Sequence, residues 1–214
     1  MAQFIQDFNQ KNIKVKDGMI NRRIDNGFNV VVDIFADVLG ERCVESEKNF
    51  LEKKLVLNGF HYLKEVTLKY VMENRLWERS YNLEVTSEVE TDDRFEEIGN
   101  CRFEVNTKGS FGIKSLTWKC VSGSISEEQQ AKYIERLSNP LITERVKAVD
   151  LSRISVEHWE DSGKWVIRFG SMIGSSTWVL IPPVVQTIKP KPHECVKMLE
   201  FVELVADAVI NNRD

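Results

Sequence analysis

The chain has 214 residues, 29 of them Lys or Arg and 33 Asp or Glu, giving a net charge of −4 with 42% hydrophobic and 29% charged residues. This composition excludes disordered, collagen-like and low-complexity classes. The slight acidity argues against general nucleic-acid binding, which sets Lys and Arg against phosphates.

In chain order, residues 1–25 are polar and mixed, with Ile13–Lys16 as a short edge strand and a basic set of Lys11, Lys14, Lys16, Arg22 and Arg23 opposed by Asp7, Asp17 and Asp25. Val30, Val31, Ile34, Phe35, Val38 and Leu39 then fall on one helical stripe that Gly40 stops. A second helix is expected from Ser46 as N-cap through Phe50, Leu51 and Leu55 to Asn58-Gly59. The period next changes to two. Val66, Leu68, Tyr70 and Met72 precede a turn, and Trp77, Tyr81, Leu83 and Val85 follow it. The first set is even-numbered and the second odd. Only an odd pairing sum puts both on one face, so the hairpin turn should hold two or four residues. Arg79 then lies on the apolar face.

Glu88–Glu97 reads as an acidic loop. Strands over Cys101–Asn106 and Phe111–Val121 follow, and Ser126-Glu127-Glu128-Gln129 is a capping box. Asn139-Pro140 breaks that helix and starts a shorter one ending near Asp150. The last strands run from Ile154 to Ile181, with one turn at Asp161-Ser162-Gly163 and a second flanked by Gly170 and Gly174. A closing helix begins at Pro192 and reaches about Asn211, with an apolar arc about 200° wide.

The expected fold is therefore α+β, a largely antiparallel sheet with two N-terminal helices, a central helical segment and a long C-terminal helix. Residues 1–214 are read as one compact domain. A weak echo between 100–150 and 152–211 rests on Gly109-Ser110-Phe111-Gly112-Ile113 against Gly170-Ser171-Met172-Ile173-Gly174, each leading to a Thr-Trp pair. Chance explains it as well, because aligning the two needs a gap.

Membrane, redox and catalytic signals are sparse. The longest apolar run, Trp178–Val185, contains Pro182 and Pro183 and is far short of the about 20 residues of a spanning helix. The first residues lack the basic and apolar regions of a secretory signal. Cys43, Cys101, Cys120 and Cys195 form no C-x-x-C pair. Reduced thiols in a cytoplasm are the expectation. Ser171 stands one place early for a nucleophile elbow, which also needs a strand-to-helix turn. Gly109-Ser110-Phe111-Gly112 matches a G-x-x-G clamp in letters only, since it joins strands. His61, His158 and His193 share no metal-ligand spacing, and the acidic loop lacks the ligand spacing of a calcium loop. No cofactor or metal is expected.

Three residues stand out as binding candidates. Arg79 on an apolar face needs a carboxylate from the fold or a ligand, unless it reaches solvent at a sheet edge. His158 shares a face with Ile154 and Val156 and points inward, as a packed core histidine or as a base in a pocket. Trp159 has the polar parity of its strand and is a contact anchor, unless a helix covers it. Trp77, Trp118, Trp165 and Trp178 fit core packing.

The first functional reading is a non-catalytic cytoplasmic protein-binding module of adaptor, chaperone, immunity or inhibitor type. The wide arc of the last helix is filled by deep burial or by a homodimer through that helix. One alternative is a small-molecule binder with a helix-grip-like cavity, in which Arg79 and His158 meet an anionic ligand. Another is an enzyme with scattered site residues and His158 as base.

Overall fold

The computed structural model describes residues 2–40, 43–49, 51–74, 76–90, 98–108, 115–180, 182 and 184–211. Side chains are described for 18–40, 51–74, 76–90, 98–106, 115–180, 182 and 184–211. A long helix, α1 (Ala2–Leu39), leads into six strands: β1 (Cys43–Asn49), β2 (Glu52–Leu57), β3 (Glu65–Asn74), β4 (Glu78–Glu90), β5 (Cys101–Lys108) and β6 (Ser115–Gly123). Helices α2 (Glu127–Leu137) and α3 (Pro140–Ala148) follow. The chain then adds β7 (Leu151–Trp159), β8 (Lys164–Val179), β9 (Val184–Thr187) and α4 (Pro192–Ile210). All pairings are antiparallel, and the strand order is β1-β2-β3-β4-β8-β7-β5-β6 with β9 on β8. The α+β class holds.

Three local expectations are corrected. There is one N-terminal helix, not two. Residues expected to form the second helix make β1 and β2, and Leu51 between them takes a left-handed conformation (φ 59°). Tertiary pairing outweighs the helical spacing here. Leu55 and Leu57 are buried, and Lys54–Glu65 and Lys69–Glu52 pair across β2 and β3 at 2.6 and 2.9 Å. The edge strand expected at Ile13–Lys16 lies within α1. Gly170 and Gly174 do not flank a turn but lie inside β8. There Leu83 pairs with Ser171 and Tyr81 with Ser176, so residues 172–175 bulge out of the ladder.

The β3–β4 hairpin has the expected odd register, from Thr67↔Thr86 to Asn74↔Arg79, with four residues between the last pair. One face of the sheet carries Val66, Leu68, Tyr70, Leu83, Val85, Phe103, Val156, Ile167 and Phe169, all buried under the helices. Helix α4 lies at the centre of that layer. Cys195, Met198, Leu199, Phe201, Val202, Val205, Ala206, Val209 and Ile210 are all buried, and α4 touches α1, α2, α3 and β8. Its wide apolar arc is thus covered within the chain. The Phe201 ring meets Phe169 edge-on at 5.4 Å, and each such side chain contributes roughly 1.5–3 kcal/mol of burial free energy.

The other face is charged and cross-linked. Glu104, Arg102, Glu157, Arg168 and Glu84 form a ladder over β5, β7, β8 and β4, with successive contacts of 2.8, 3.2, 3.7 and 3.8 Å. Alternating charges face one another across strands, which offsets the burial of Glu157.

Candidate functional site

The sequence candidates lie at two ends of the sheet. At one end, β7 stops at Trp159, directly after His158. Successive strand residues point to opposite faces, so His158 is 5% exposed and Trp159 is 52% exposed. The turn beyond is tight. The Gly163 N–H donates to the Trp159 carbonyl at 2.9 Å, and Gly163 has φ 61°. The Glu160 N–H donates to Asn100 Oδ1 at 2.9 Å, tying the turn to the approach of β5. Trp159 pairs with Lys164, whose Nζ lies 3.2 Å from Glu88. Glu88, Glu90, Glu160 and Asp161 are exposed around it. Glu88–Glu90 of the expected acidic loop are instead the end of β4, paired with β8, and residues 91–97 lie outside the described residues.

His158 is enclosed on the helix side. Its Nδ1 lies 3.2 Å from the Gly99 carbonyl oxygen, its ring is 5.0 Å from Trp165, and Trp165 is 5.2 Å from Tyr133. A carbonyl only accepts, so Nδ1 carries the proton of the neutral ring. Burial lowers the His158 pKa, and the Gly99 hydrogen bond opposes that shift. Its cross-strand partner Cys101 is pushed up to about 12, mainly by burial. The neutral forms of both groups are favoured.

Arg79 lies at the far end. It pairs with Asn74 and Trp178, and its guanidinium carbon stands 5.2 Å from the centre of the Trp178 ring. Its half-buried side chain meets an indole. Arg79 and Val89, which is level with Trp165 and His158, are ten residues apart on β4. At about 3.3 Å per residue that is roughly 33 Å, so Arg79 and His158 do not converge. Of the tryptophans expected in the core, Trp118 and Trp165 are buried and Trp178 is half-buried. Trp77 is 62% exposed, because the four-residue turn carries it past the last strand pair.

A third location escaped the sequence reading. Near the C-terminal end of α4, Arg136, Asn139, Leu204, Asp207, Ala208 and Asn211 line an open cleft of about 210 Å³. Tyr62 reaches its rim, donating to Asp207 Oδ1 at 2.9 Å and accepting from Asn211 Nδ2 at 2.6 Å. One turn back, the Glu203 carboxylate accepts the backbone N–H groups of His61, Tyr62 and Leu63 at 2.6, 3.0 and 3.1 Å. A lone glutamate on a helix, bound to backbone some 140 residues away, leaves no pattern to find in sequence. Among the described residues no three His, Cys, Asp or Glu side chains are placed to hold a metal ion. No helix among them is long and apolar enough to cross a membrane.

The chain belongs to DUF3156, a family of proteins of unknown function, whose profile matches residues 37–209. That span runs from the end of α1 to the end of α4. No curated protein and no solved structure matches the chain.

Proposed function

We propose that this member of the DUF3156 family is a non-catalytic protein-binding module that acts in the cytoplasm and presents Trp159 as its contact anchor. The observation that carries this reading is a large indole, half out of the fold, at the end of a strand held by a tight turn. Tryptophans fixed in this way dominate interface energetics when a partner closes over them and excludes water. The surrounding Glu88, Glu90, Glu160 and Asp161 favour a partner with a basic rim around an apolar socket. The free thiols Cys101, Cys120 and Cys195 suit a reducing compartment.

The test is cross-linked affinity capture from the native cell lysate by wild type and by Trp159→Ala. A stoichiometric protein held by wild type and lost at least about tenfold in the variant is expected, with an unchanged melting curve. Equal capture by both proteins refutes Trp159 as the anchor.

A further inference from the structure

We propose that the opposite end of the sheet, where the β3–β4 and β8–β9 turns meet, is a docking tip for an anionic lipid surface. The apolar run Trp178–Val185 carries the end of β8 and the start of β9 here. The Leu180 N–H donates to the Trp77 carbonyl at 3.1 Å, so the two turns form one structural unit. Leu76 is 85% exposed, Trp77 62%, Val184 47% and Leu180 42%. Single exposed apolar residues are ordinary. Three of them on two hydrogen-bonded turns and a fourth at the first residue of β9 are a concentration that water disfavours.

Charge selects the occupant. Helix α1 packs over this end. The Cβ position of Gly27 faces Thr187 and Ser176, while that of Gly174, further from the tip, faces Val31. Each helical turn towards the N-terminus therefore advances about 5.4 Å towards the tip. The exposed Arg22 and Arg23, five and four residues before Gly27, lie about 6–7.5 Å nearer the tip than Gly27, near the level of the Arg79–Trp178 pair. From Lys11 to Arg23 the sequence of α1 holds five basic residues against Asp17 alone. Among the described residues, Glu78, Glu73 and Asp25 are acids towards this end, and Glu73 pairs with Arg153. The opposite end carries Glu88, Glu90, Glu160 and Asp161, twelve residues and roughly 40 Å along β4. A chain of net charge −4 is thus polarised along its strands, with apolar and basic groups towards one end. An anionic bilayer attracts that end and repels the other. Tryptophan and leucine at the headgroup level with flanking cations supply the two signals that stable peripheral attachment needs. The placement of Trp159 at the far end leaves it facing away from the lipid, so this inference does not depend on the protein-binding reading.

The experiment is co-sedimentation of the full chain with phosphatidylglycerol–phosphatidylcholine vesicles and with pure phosphatidylcholine vesicles. Wild type should bind the anionic vesicles and only weakly the neutral ones. Leu76→Ser with Trp77→Ser should weaken anionic binding at least about tenfold. Arg22→Glu with Arg23→Glu should do the same on anionic vesicles only. These sites are exposed, and unchanged far-ultraviolet circular dichroism and melting curves verify the fold. No vesicle binding by wild type overturns the proposal, as does binding that survives both double substitutions. A concentration-dependent dimer in sedimentation velocity that the Leu76/Trp77 substitution dissolves also overturns it, by assigning the tip to a second copy of the chain.

Discussion

Replacing Glu203 tests how α4 holds the segment between β2 and β3. Two carboxylate oxygens accept three consecutive backbone N–H groups, from His61, Tyr62 and Leu63. Hydrogen bonds to a charged acceptor contribute about 1.5–3 kcal/mol each, and an exposed donor recovers much of that from water. The His61 N–H is exposed, while those of Tyr62 and Leu63 are part-buried. Glu203→Ala should therefore cost about 3 kcal/mol, a loss of about 6–12 °C in melting temperature for a chain of this size. Glu203→Gln separates charge from geometry. Its amide keeps one oxygen for the two shorter bonds but turns an N–H₂ towards another donor, so about 1–2 kcal/mol should go. Urea unfolding with an unchanged m-value measures both losses. Hydrogen exchange at Tyr62 and Leu63 shows whether they are local. If Glu203→Ala loses less than about 0.5 kcal/mol and leaves both amides protected, the carboxylate clamp is not what orders this segment.

Two further outcomes follow from the same geometry. Gly174→Ala combines φ +90° with a Cβ placed 2.5 Å from Leu83 Cδ2 and 3.3 Å from Val31 Cγ1, both in the core. Urea titration should show a loss of about 2–4 kcal/mol. Gly18→Ala meets nothing within 4 Å in α1 and should gain about 0.5–1 kcal/mol. Equal effects of the two substitutions would discard the packing argument. His158 is the pH-sensitive core residue, with a folded pKa below its ordinary 6.5 because it is buried. The unfolded chain therefore binds the proton more readily. His158 supplies its full stability above the unfolded value, and this is lost as pH falls through 6.5 towards the lower folded pKa. Wild type should lose more stability than His158→Gln between about pH 7.5 and 5.5, and parallel losses would remove the histidine from that role.

What the sequence revealed depended on the range of the interaction. Alternation in Val66–Tyr70 and Tyr81–Val85 is local, and that face is buried, so parity narrows the turn to two or four residues, while the choice of four, and the 51% exposure of Met72 near the strand end, are set beyond that window. The same argument separated His158 from Trp159. Ser46–Gly59 misled because cap-like residues flanked a helical spacing, while the deciding partner, β3, lay outside the window. The Gly170–Gly174 pair looked like a turn because glycine permits turns and bulges alike. Only the ladder to β4 distinguishes them. The wide arc of α4 was visible, but its cover comes from α1, α2, α3 and β8. Periodicity places Trp77 inward because it does not tell where a strand ends and a turn takes over. Glu203 and the cleft beside Asp207 involve Tyr62, far away in sequence, and no local signal marks them.

The β4–β8 ladder has a consequence for synthesis. It joins Glu78 to Val179 and Glu90 to Lys164, so the first four strands meet the rest of the sheet through residues made much later. Between the end of β4 and the end of β8 a ribosome adds 89 residues, which takes roughly 5–20 s. Throughout that interval β4 is an open edge, and Leu83 and Val85 lack the strand that will flank them. Long-range antiparallel pairing of this kind also closes slowly. The nascent chain is thus exposed to edge-to-edge association for seconds before it can complete its sheet, and charged residues such as Glu84, Glu88 and Glu90 on that edge strand are placed to discourage it.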